Sequence, residues 1–148
     1  MSLVSLINED VVKVPMSAST KSEVFPELLD LLVNAGKVEK RDQALNALLE
    51  RESQASTGLE SGIAVPHAKT EAVSKLTLAI GISPEGIDFE SMDGEPSRIF
   101  FLMLAPPDQS GPHIEALSEI ARLAKSPAFL KALSNARSPE ELMELLSE

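Results

Sequence analysis

The sequence contains no cysteine, no tryptophan and no tyrosine. The lack of cysteine excludes disulfide bonds and thiol chemistry, and it gives slight support to a cytoplasmic location. Aromatic residues make up only 3% of the chain, so the core must depend on Leu, Ile, Val, Ala and Met. Basic residues are also few, and 13 Lys and Arg against 23 Asp and Glu give a net charge of −10. Because nucleic-acid binding depends on clustered cations, this balance argues against a nucleic-acid partner.

Long hydrophobic runs are absent as well. The longest apolar stretch, residues 99–107, is far shorter than the ~20 residues needed to span a bilayer, so we expect no membrane insertion. No charged segment followed by an apolar segment opens the chain, so we expect no signal peptide. Hydrophobic residues make up 43% of the 148, which is enough for a real core, and this length predicts a single domain over residues 1–148.

Hydrophobic periodicity along the chain predicts an α/β protein. Alternating apolar residues predict a strand at 75–83, and continuous apolar residues predict a central strand at 98–105 that is covered on both faces. Shorter strands are expected at 11–14 and 62–65, with turns at 84–87 and 92–96. Helical spacing predicts helices at 20–35, at 41–55, from about 114, at 129–136 and from 138. Since these elements intermingle without regular alternation, we expect a mixed central β-sheet flanked by helices on both faces.

The first two predicted helices carry local signals. Thr20 and Glu23 have capping-box spacing, and Gly36 is a typical stop. Pro26 is out of place in a helix interior, which favours a start at Ser22 or later. The second helix is expected to bury three leucines, namely Leu45, Leu48 and Leu49.

One of the two histidines, His67, closes an apolar run that reads Gly62-Ile63-Ala64-Val65-Pro66-His67. The β-branched residues predict a buried strand, and the proline fixes the backbone just before the ring. An imidazole held at a rigid strand end is placed to act as a nucleophile or base. A histidine beside an apolar run is also commonly a structural residue, so His67 alone does not establish chemistry.

The second histidine, His113, follows Gly111-Pro112, a pattern that suits a helix N-terminus. Free backbone N–H groups and the positive end of the helix dipole attract anions there and disfavour the imidazolium form. We therefore expect His113 to be neutral and able to donate one hydrogen bond to a phosphate.

Arg51 is the third candidate site residue. Its helical neighbours at three and four residues are Ala47, Leu48, Gln54 and Ala55, so the helix supplies no carboxylate partner. Arg51 is therefore either an ordinary surface arginine or a fork-shaped donor to a phosphate, for which the guanidinium is well suited.

His67, His113 and Arg51 together fit a phosphoryl acceptor, because a neutral imidazole is a good nucleophile near pH 7. We expect them to converge in space. The sequence has no glycine-rich phosphate loop, which argues against direct use of ATP. The histidines do not have metal-ligand spacing and no nucleophilic serine motif is present, so we expect no metal, no cofactor and no serine hydrolase.

Four segments appear in a specific order along the chain: Leu49-Glu50-Arg51-Glu52, Ser56-Thr57-Gly58, the run ending at His67, and Gly111-Pro112-His113. In these motifs and their spacing, over nearly its whole length, the sequence resembles the fructose/mannitol-type enzyme IIA domain of the bacterial phosphoenolpyruvate:sugar phosphotransferase system, including its nitrogen-regulatory branch. The resemblance implies a mixed sheet between helices.

The resemblance also implies roles for the candidate residues. It makes this chain a phosphotransferase component in which His67 accepts a phosphoryl group from the phosphocarrier HPr, or from its nitrogen-branch counterpart. His67 then passes the group to a cysteine of a IIB partner. His113 and Arg51 fall where this family keeps the groups that hold the phosphate. Partner docking implies an apolar surface around His67, for which Gly58, Leu59, Ile63 and Met92 are candidates.

Two other functions stay open at this stage. One is a nitrogen-regulatory protein whose phosphorylation at His67 controls which target proteins bind, with no part in sugar transport. The other, outside the family, is a small-molecule binding domain with structural histidines.

Overall fold

Strands and helices alternate irregularly along residues 3–147, the residues that the computed structural model describes. Two short 3-10 turns, Leu3–Leu6 and Glu9–Val11, come first. The strands are β1 (Val12–Lys13), β2 (Ile63–Ala64), β3 (His67–Lys69), β4 (Thr77–Ile87) and β5 (Ser97–Ala105). The helices are α1 (Lys21–Asn34), α2 (Arg41–Gln54), α3 (Ser110–Leu123), α4 (Pro127–Ser134) and α5 (Pro139–Ser147). Each predicted helix is present, although α3 begins before residue 114.

The sheet is mixed, as predicted. Its strand order is β1-β4-β5-β2, and β3 also pairs with β5. β4 and β5 are antiparallel, whereas the other pairs are parallel. Ile63 pairs with Ile99 and His67 pairs with Met103, so β2 and β3 follow one another along the same edge of β5. They are separated at Pro66, which has no N–H to offer the ladder.

Helices cover both faces of this sheet, which confirms the predicted layering. On one face the ring of Phe89 lies between Phe100 of β5 and Phe25 of α1, with centroid distances of 5.4 and 5.7 Å. Ile63 points to the opposite face and lines a groove with Leu117 of α3. In β5 every residue but Arg98 is buried, as expected for a central strand.

The start of α1 differs from the prediction. Thr20 is the N-cap residue, and Oε1 of Glu23 accepts its backbone N–H at 3.1 Å. The helix begins at Lys21, so the expected start at Ser22 or later is wrong, and Pro26 lies inside the helix. The missing N–H of Pro26 would have bonded to the carbonyl of Ser22, an exposed residue in a turn that the Glu23 cap already holds.

The buried face of α2 is narrower than predicted. Ala44 and Leu48 are its buried residues, and Leu45 is partly buried. Leu49 is 44% exposed, so the prediction that it is buried is wrong. Residues four apart share a helix face, whereas Leu49 is about 100° further round than Leu48.

The turn predicted at residues 84–87 is wrong, because β4 continues to Ile87. The pairing with β5 becomes irregular between Ile82 and Ile87, and it resumes where Ile87 faces Ser97. Pro84 cannot donate to the ladder, and Gly86 adopts a positive φ of 83°, so a bulged strand accommodates both residues. The turn predicted at 92–96 is present, since the N–H of Gly94 donates to the Ser91 carbonyl at 3.0 Å.

Within residues 3–147, no helix combines the length and the apolar character needed to cross a bilayer.

Candidate functional site

His67 is the first residue of β3 and therefore belongs to the sheet. The sequence pattern predicts instead that it follows the end of a strand. Its backbone pairs with Met103, and its side chain is half-buried. Nδ1 lies 2.7 Å from the carbonyl oxygen of Val65. Because a carbonyl only accepts, Nδ1 carries the proton and Nε2 keeps its lone pair. The Val65 carbonyl, two residues before His67, therefore orients the ring and leaves the Nε2 lone pair free.

The structure brings His113 against this ring. The two imidazole centroids are 5.3 Å apart and the rings meet edge to face at 75°. His113 lies in the first turn of α3 and is only 6% exposed. Its Nε2 is buried without a hydrogen-bond partner among residues 3–147. A buried polar atom without a partner is costly, so a hydrogen bond remains to be made at this nitrogen.

Both rings are held neutral near pH 7. Burial lowers the pKa of His67; the Val65 carbonyl and the Glu52 carboxylate raise this pKa, while the Arg51 charge lowers it. Burial also lowers the pKa of His113, and the charges of His67 and Lys69 lower it further. The expected neutrality of His113 agrees with this direction, but burial is the main cause and not the helix terminus.

Arg51 lies in the last turn of α2. Its Nη1 donates to the carbonyl of Ala55 at 3.0 Å, at the helix end where the dipole favours a cation. Its charge lowers the pKa of His67, although no hydrogen bond joins the two side chains in the part of the chain described. Arg51 has no carboxylate partner on its helix, as predicted, and none elsewhere within residues 3–147. The rest of its fork is therefore free for an anion.

Lys69 is a site residue that the sequence reasoning missed. Its Nζ donates to Oγ of Ser110 at 3.0 Å, which ties β3 to the start of α3. Its charge also acts on His113. The signal was the strand period, since His67 and Lys69 are two residues apart and share a face of β3.

Glu52 and Thr57 were also missed as site residues. The Glu52 side chain is 7% exposed and pairs with Nζ of Lys21 at 2.9 Å. It accepts the backbone N–H of Thr57 at 2.7 Å and the Thr57 hydroxyl at 2.6 Å. This contact bridges the end of α2 to the loop that follows it, and no helical or strand period predicts such a pairing.

The site can therefore attack an electrophile and hold an anion. Its parts are a neutral ring with a free Nε2, an unpartnered imidazole nitrogen and two cations. Within residues 3–147, no group of three or more His, Asp or Glu is placed to hold a metal ion.

The predicted docking surface is only partly exposed. Leu59 is 38% and Met92 71% exposed, but Gly58 and Ile63 are buried, so those two predictions are wrong. Gly58 bridges to Ala64 and Ile63 pairs with β5, which turns both away from solvent. Two other large apolar side chains, Leu49 and Ile114, are 44% and 62% exposed. They stand near Arg51 and beside His113 in the chain.

Known proteins identify the family of the chain. The family model described as "Phosphoenolpyruvate-dependent sugar phosphotransferase system, EIIA 2" matches residues 5–148. The chain is 44% identical, over 130 residues, to the PTS system fructose-specific EIIA component of Haloferax volcanii, which covers 88% of this chain and 84% of that protein. The nitrogen regulatory protein IIA-Ntr from Neisseria meningitidis has the same fold, with a TM-score of 0.84, 27% identity and coverage of 97% of this chain and 98% of its own.

A third similar structure is a complex of enzyme IIAMTL and phosphorylated enzyme IIBMTL from Escherichia coli. It matches with a TM-score of 0.81 and 26% identity, over 95% of this chain and 96% of that chain. The family model covers nearly all of the sequence, and the relatives include both the sugar-specific and the nitrogen-regulatory branch. The chain therefore belongs to the EIIA 2 family of the phosphoenolpyruvate-dependent sugar phosphotransferase system.

Proposed function

We propose that this protein is a phosphocarrier in which His67 accepts a phosphoryl group from a phosphorylated HPr-like protein and passes it to the cysteine of a IIB component. The observation that carries the proposal is the setting of the His67 ring: its Nδ1 is bonded to the Val65 carbonyl, and the centroid of the His113 ring lies 5.3 Å away. Such a relay starts from phosphoenolpyruvate, a metabolite of the cytoplasm, which is where the proposal places the protein.

The transfer forms one bond and breaks one bond. The Nε2 lone pair of His67 attacks the phosphorus of the donor phosphohistidine, and the N–P bond of the donor breaks with its electron pair returning to the donor ring. Nδ1 keeps its proton, so the phosphorylated ring of His67 carries a positive charge that the Val65 carbonyl stabilises.

Arg51 and His113 stabilise the charge on the phosphoryl oxygens during this step. The free positions of the Arg51 guanidinium supply N–H donors, and the unpartnered Nε2 of His113 supplies another in the tautomer that carries its proton there. Donors already in place cost no reorganisation when the phosphoryl group arrives, so positioning and electrostatics provide most of the catalysis.

In the second half of the cycle the phosphoryl group moves from His67 to a cysteine thiolate. The sulfur of a IIB cysteine attacks phosphorus, the N–P bond to His67 breaks, and the ring returns to its neutral state. The similar Escherichia coli complex of IIA with phosphorylated IIB supports a IIB acceptor for this chain. The exposed side chains of Leu59 and Met92 support transient docking of such partners beside the site.

A nitrogen-regulatory role is the second candidate, and the likeness to IIA-Ntr from Neisseria meningitidis favours it. In that role the same phosphorylation of His67 changes the charge of the docking surface and so selects the regulatory target. The higher identity to the fructose-specific EIIA component keeps the sugar-transfer role first.

Labelling with phosphoenolpyruvate tests the proposal. We expect radioactive phosphoenolpyruvate, enzyme I and HPr to give the wild-type protein an acid-labile, alkali-stable label that His67→Ala lacks. An unlabelled wild type would contradict the phosphocarrier function. A chase of the label onto a IIB protein supports sugar transfer, and a label that no IIB protein removes supports regulation.

A further inference from the structure

A continuous chain of polar contacts connects Lys21 of α1 to the imidazole ring of His67. Lys21 pairs with the Glu52 carboxylate, which accepts both the backbone N–H and the hydroxyl of Thr57. The carbonyl of Thr57 accepts the N–H of Val65 at 3.0 Å, and the carbonyl of Val65 accepts from Nδ1 of His67 at 2.7 Å. The ring therefore rests on a backbone whose position is set by a buried carboxylate.

We propose that Glu52 and Thr57 are positioning residues for phosphoryl transfer, acting through Val65 to hold the ring of His67 with Nδ1 protonated and Nε2 free. This inference rests on the phosphocarrier function proposed above. Neither residue touches the phosphoryl group in this scheme.

The carboxylate of Glu52 is suited to such a role because it is buried and fully engaged. A buried charge is tolerated only with close partners, and Glu52 has three: one ammonium, one amide and one hydroxyl. Thr57 is itself only 3% exposed. Loss of one donor leaves the carboxylate undersatisfied, so the Thr57 loop must shift, and the Val65 carbonyl shifts with it.

The ammonium group of Lys21, at the start of this chain of contacts, has further partners. Nζ of Lys21 lies 3.2 Å from Oε1 of Glu90 and 4.7 Å from the ring centroid of Phe89. The hydroxyl of Ser56, next to Thr57, donates to the carbonyl of Phe89 at 2.8 Å. These contacts join α1 to the loop on the far side of Glu52, so the carboxylate has little freedom to follow Thr57 if their bond is lost.

The charge of Glu52 gives this residue a second effect on the ring. Its carboxylate raises the pKa of His67, whereas the Arg51 guanidinium beside it in the sequence lowers that pKa. Removal of the Glu52 charge therefore lowers the pKa of His67.

The threonine is tested with matched hydroxyl deletions. Thr57→Val removes the donor to Glu52 and keeps the β-branched shape, while Thr57→Ser keeps the donor. Thr77→Val is the control, because Thr77 is also buried and its hydroxyl has no partner within the part of the chain described. The readouts are the rate of transfer from phosphorylated HPr and the tautomer of His67, followed by nitrogen NMR of the labelled ring.

We expect Thr57→Val to lower kcat about tenfold with little change in KM for HPr, because a small misplacement of the nucleophile slows transfer without altering docking. We also expect a smaller fraction of the Nδ1–H tautomer. Thr57→Ser should restore both readouts, and Thr77→Val should leave both at the wild-type level. The inference is overturned if the His67 ring in Thr57→Val keeps the wild-type tautomer, or if Thr77→Val has the same effects.

Glu52→Gln provides a second test that does not depend on the transfer assay. We expect the pKa of His67, measured by NMR titration, to fall below the wild-type value, and an unchanged or raised pKa would overturn the inference. If the wild-type protein takes no phosphoryl group while these ring signals still shift as expected, the phosphocarrier function fails and the positioning of His67 stands. If the protein is labelled but the ring signals do not respond, the positioning role alone fails.

Discussion

The imidazoles of His67 and His113 meet edge to face, with their centroids 5.3 Å apart, although the two residues belong to β3 and α3. Each ring is neutral near pH 7, and a charge on His67 lowers the pKa of His113. Two rings this close resist becoming imidazolium at the same time, so the Nε2 lone pair of His67 stays free while the neutral ring of His113 can still donate one hydrogen bond.

His113→Ala should slow phosphoryl transfer to His67 without abolishing it. Loss of a preorganised donor to developing charge costs on the order of a hundredfold in rate. Glu115→Gln, an exposed change in the same helix, is the control and should transfer at the wild-type rate. The measurement is single-turnover labelling from phosphorylated HPr. A wild-type rate in correctly folded His113→Ala would remove His113 from the reaction.

The free energy of unfolding should fall as the pH is lowered below about 6.5, where unfolded histidine begins to take up protons. Both histidines have lowered pKa values in the folded protein, so in that range the unfolded chain binds protons that the folded chain does not. Stability from these groups is therefore fully present above the unfolded pKa and decreases on acidification.

The measurement for this pH dependence is urea unfolding at several pH values in wild type and in a double variant, His67→Gln with His113→Gln. The carboxylates contribute equally to both proteins, so the double variant should lose less stability than wild type between neutral and mildly acidic pH. Parallel profiles would contradict the burial of neutral rings.

The parts of the fold that the sequence predicts well are those with local causes. The Thr20 and Glu23 cap, the positive φ of 75° at Gly36 and the continuous apolar run of β5 each follow from residues close together in the chain. The end of β4 is different, because Pro84 signals a turn and only the pairing of Ile87 with Ser97 keeps the chain extended. Long-range pairing overrides a local signal there.

The residues of the candidate site also divide into those with local sequence signals and those that only long-range contacts bring together. His67 and His113 are the two histidines of the chain and each follows a proline, whereas Arg51 lies in a helix that offers it no carboxylate partner. The contact of Glu52 with Thr57 joins two ordinary residues across the end of α2, so its meaning appears only once the loop is placed. The sequence also predicts Gly58 and Ile63 on an apolar docking surface around His67, yet their pairing with neighbouring segments buries them.

Adjacent leucines of α2 should respond differently to truncation. Leu48 is 1% exposed and packs in the core, so Leu48→Ala should cost about 2–5 kcal/mol of unfolding free energy. Leu49 is 44% exposed, and Leu49→Ala should stay within about 0.5 kcal/mol of wild type. Urea unfolding of the two variants measures the difference. Equal losses of unfolding free energy in the two variants would mean that the buried face of α2 is assigned incorrectly.

Gly58→Ala should destabilise the folded protein. An added Cβ would lie 2.8 Å from Oγ and 2.9 Å from Cα of Ser91, and 3.0 Å from the carbonyl oxygen of Phe89. Because two of these are backbone atoms, the loop must move, at a cost of about 1–3 kcal/mol. Gly111→Ala is the control, since nothing lies within 4 Å of its added Cβ. An equal loss of unfolding free energy in Gly111→Ala and Gly58→Ala, measured by urea unfolding, would contradict this account.

Met92→Glu should weaken docking of the HPr-like donor and leave the chemistry intact. Met92 is 71% exposed and lines an apolar groove with Leu59 and α3, so a charge placed there must be desolvated when a partner covers it. We expect KM for phosphorylated HPr to rise about tenfold, as for loss of a substantial interface contact, with kcat unchanged. The control is Gln43→Glu, which adds the same charge at an exposed position near the start of α2. This variant should keep KM at the wild-type value. An equal rise in both variants would mean that net charge, and not this groove, governs the encounter.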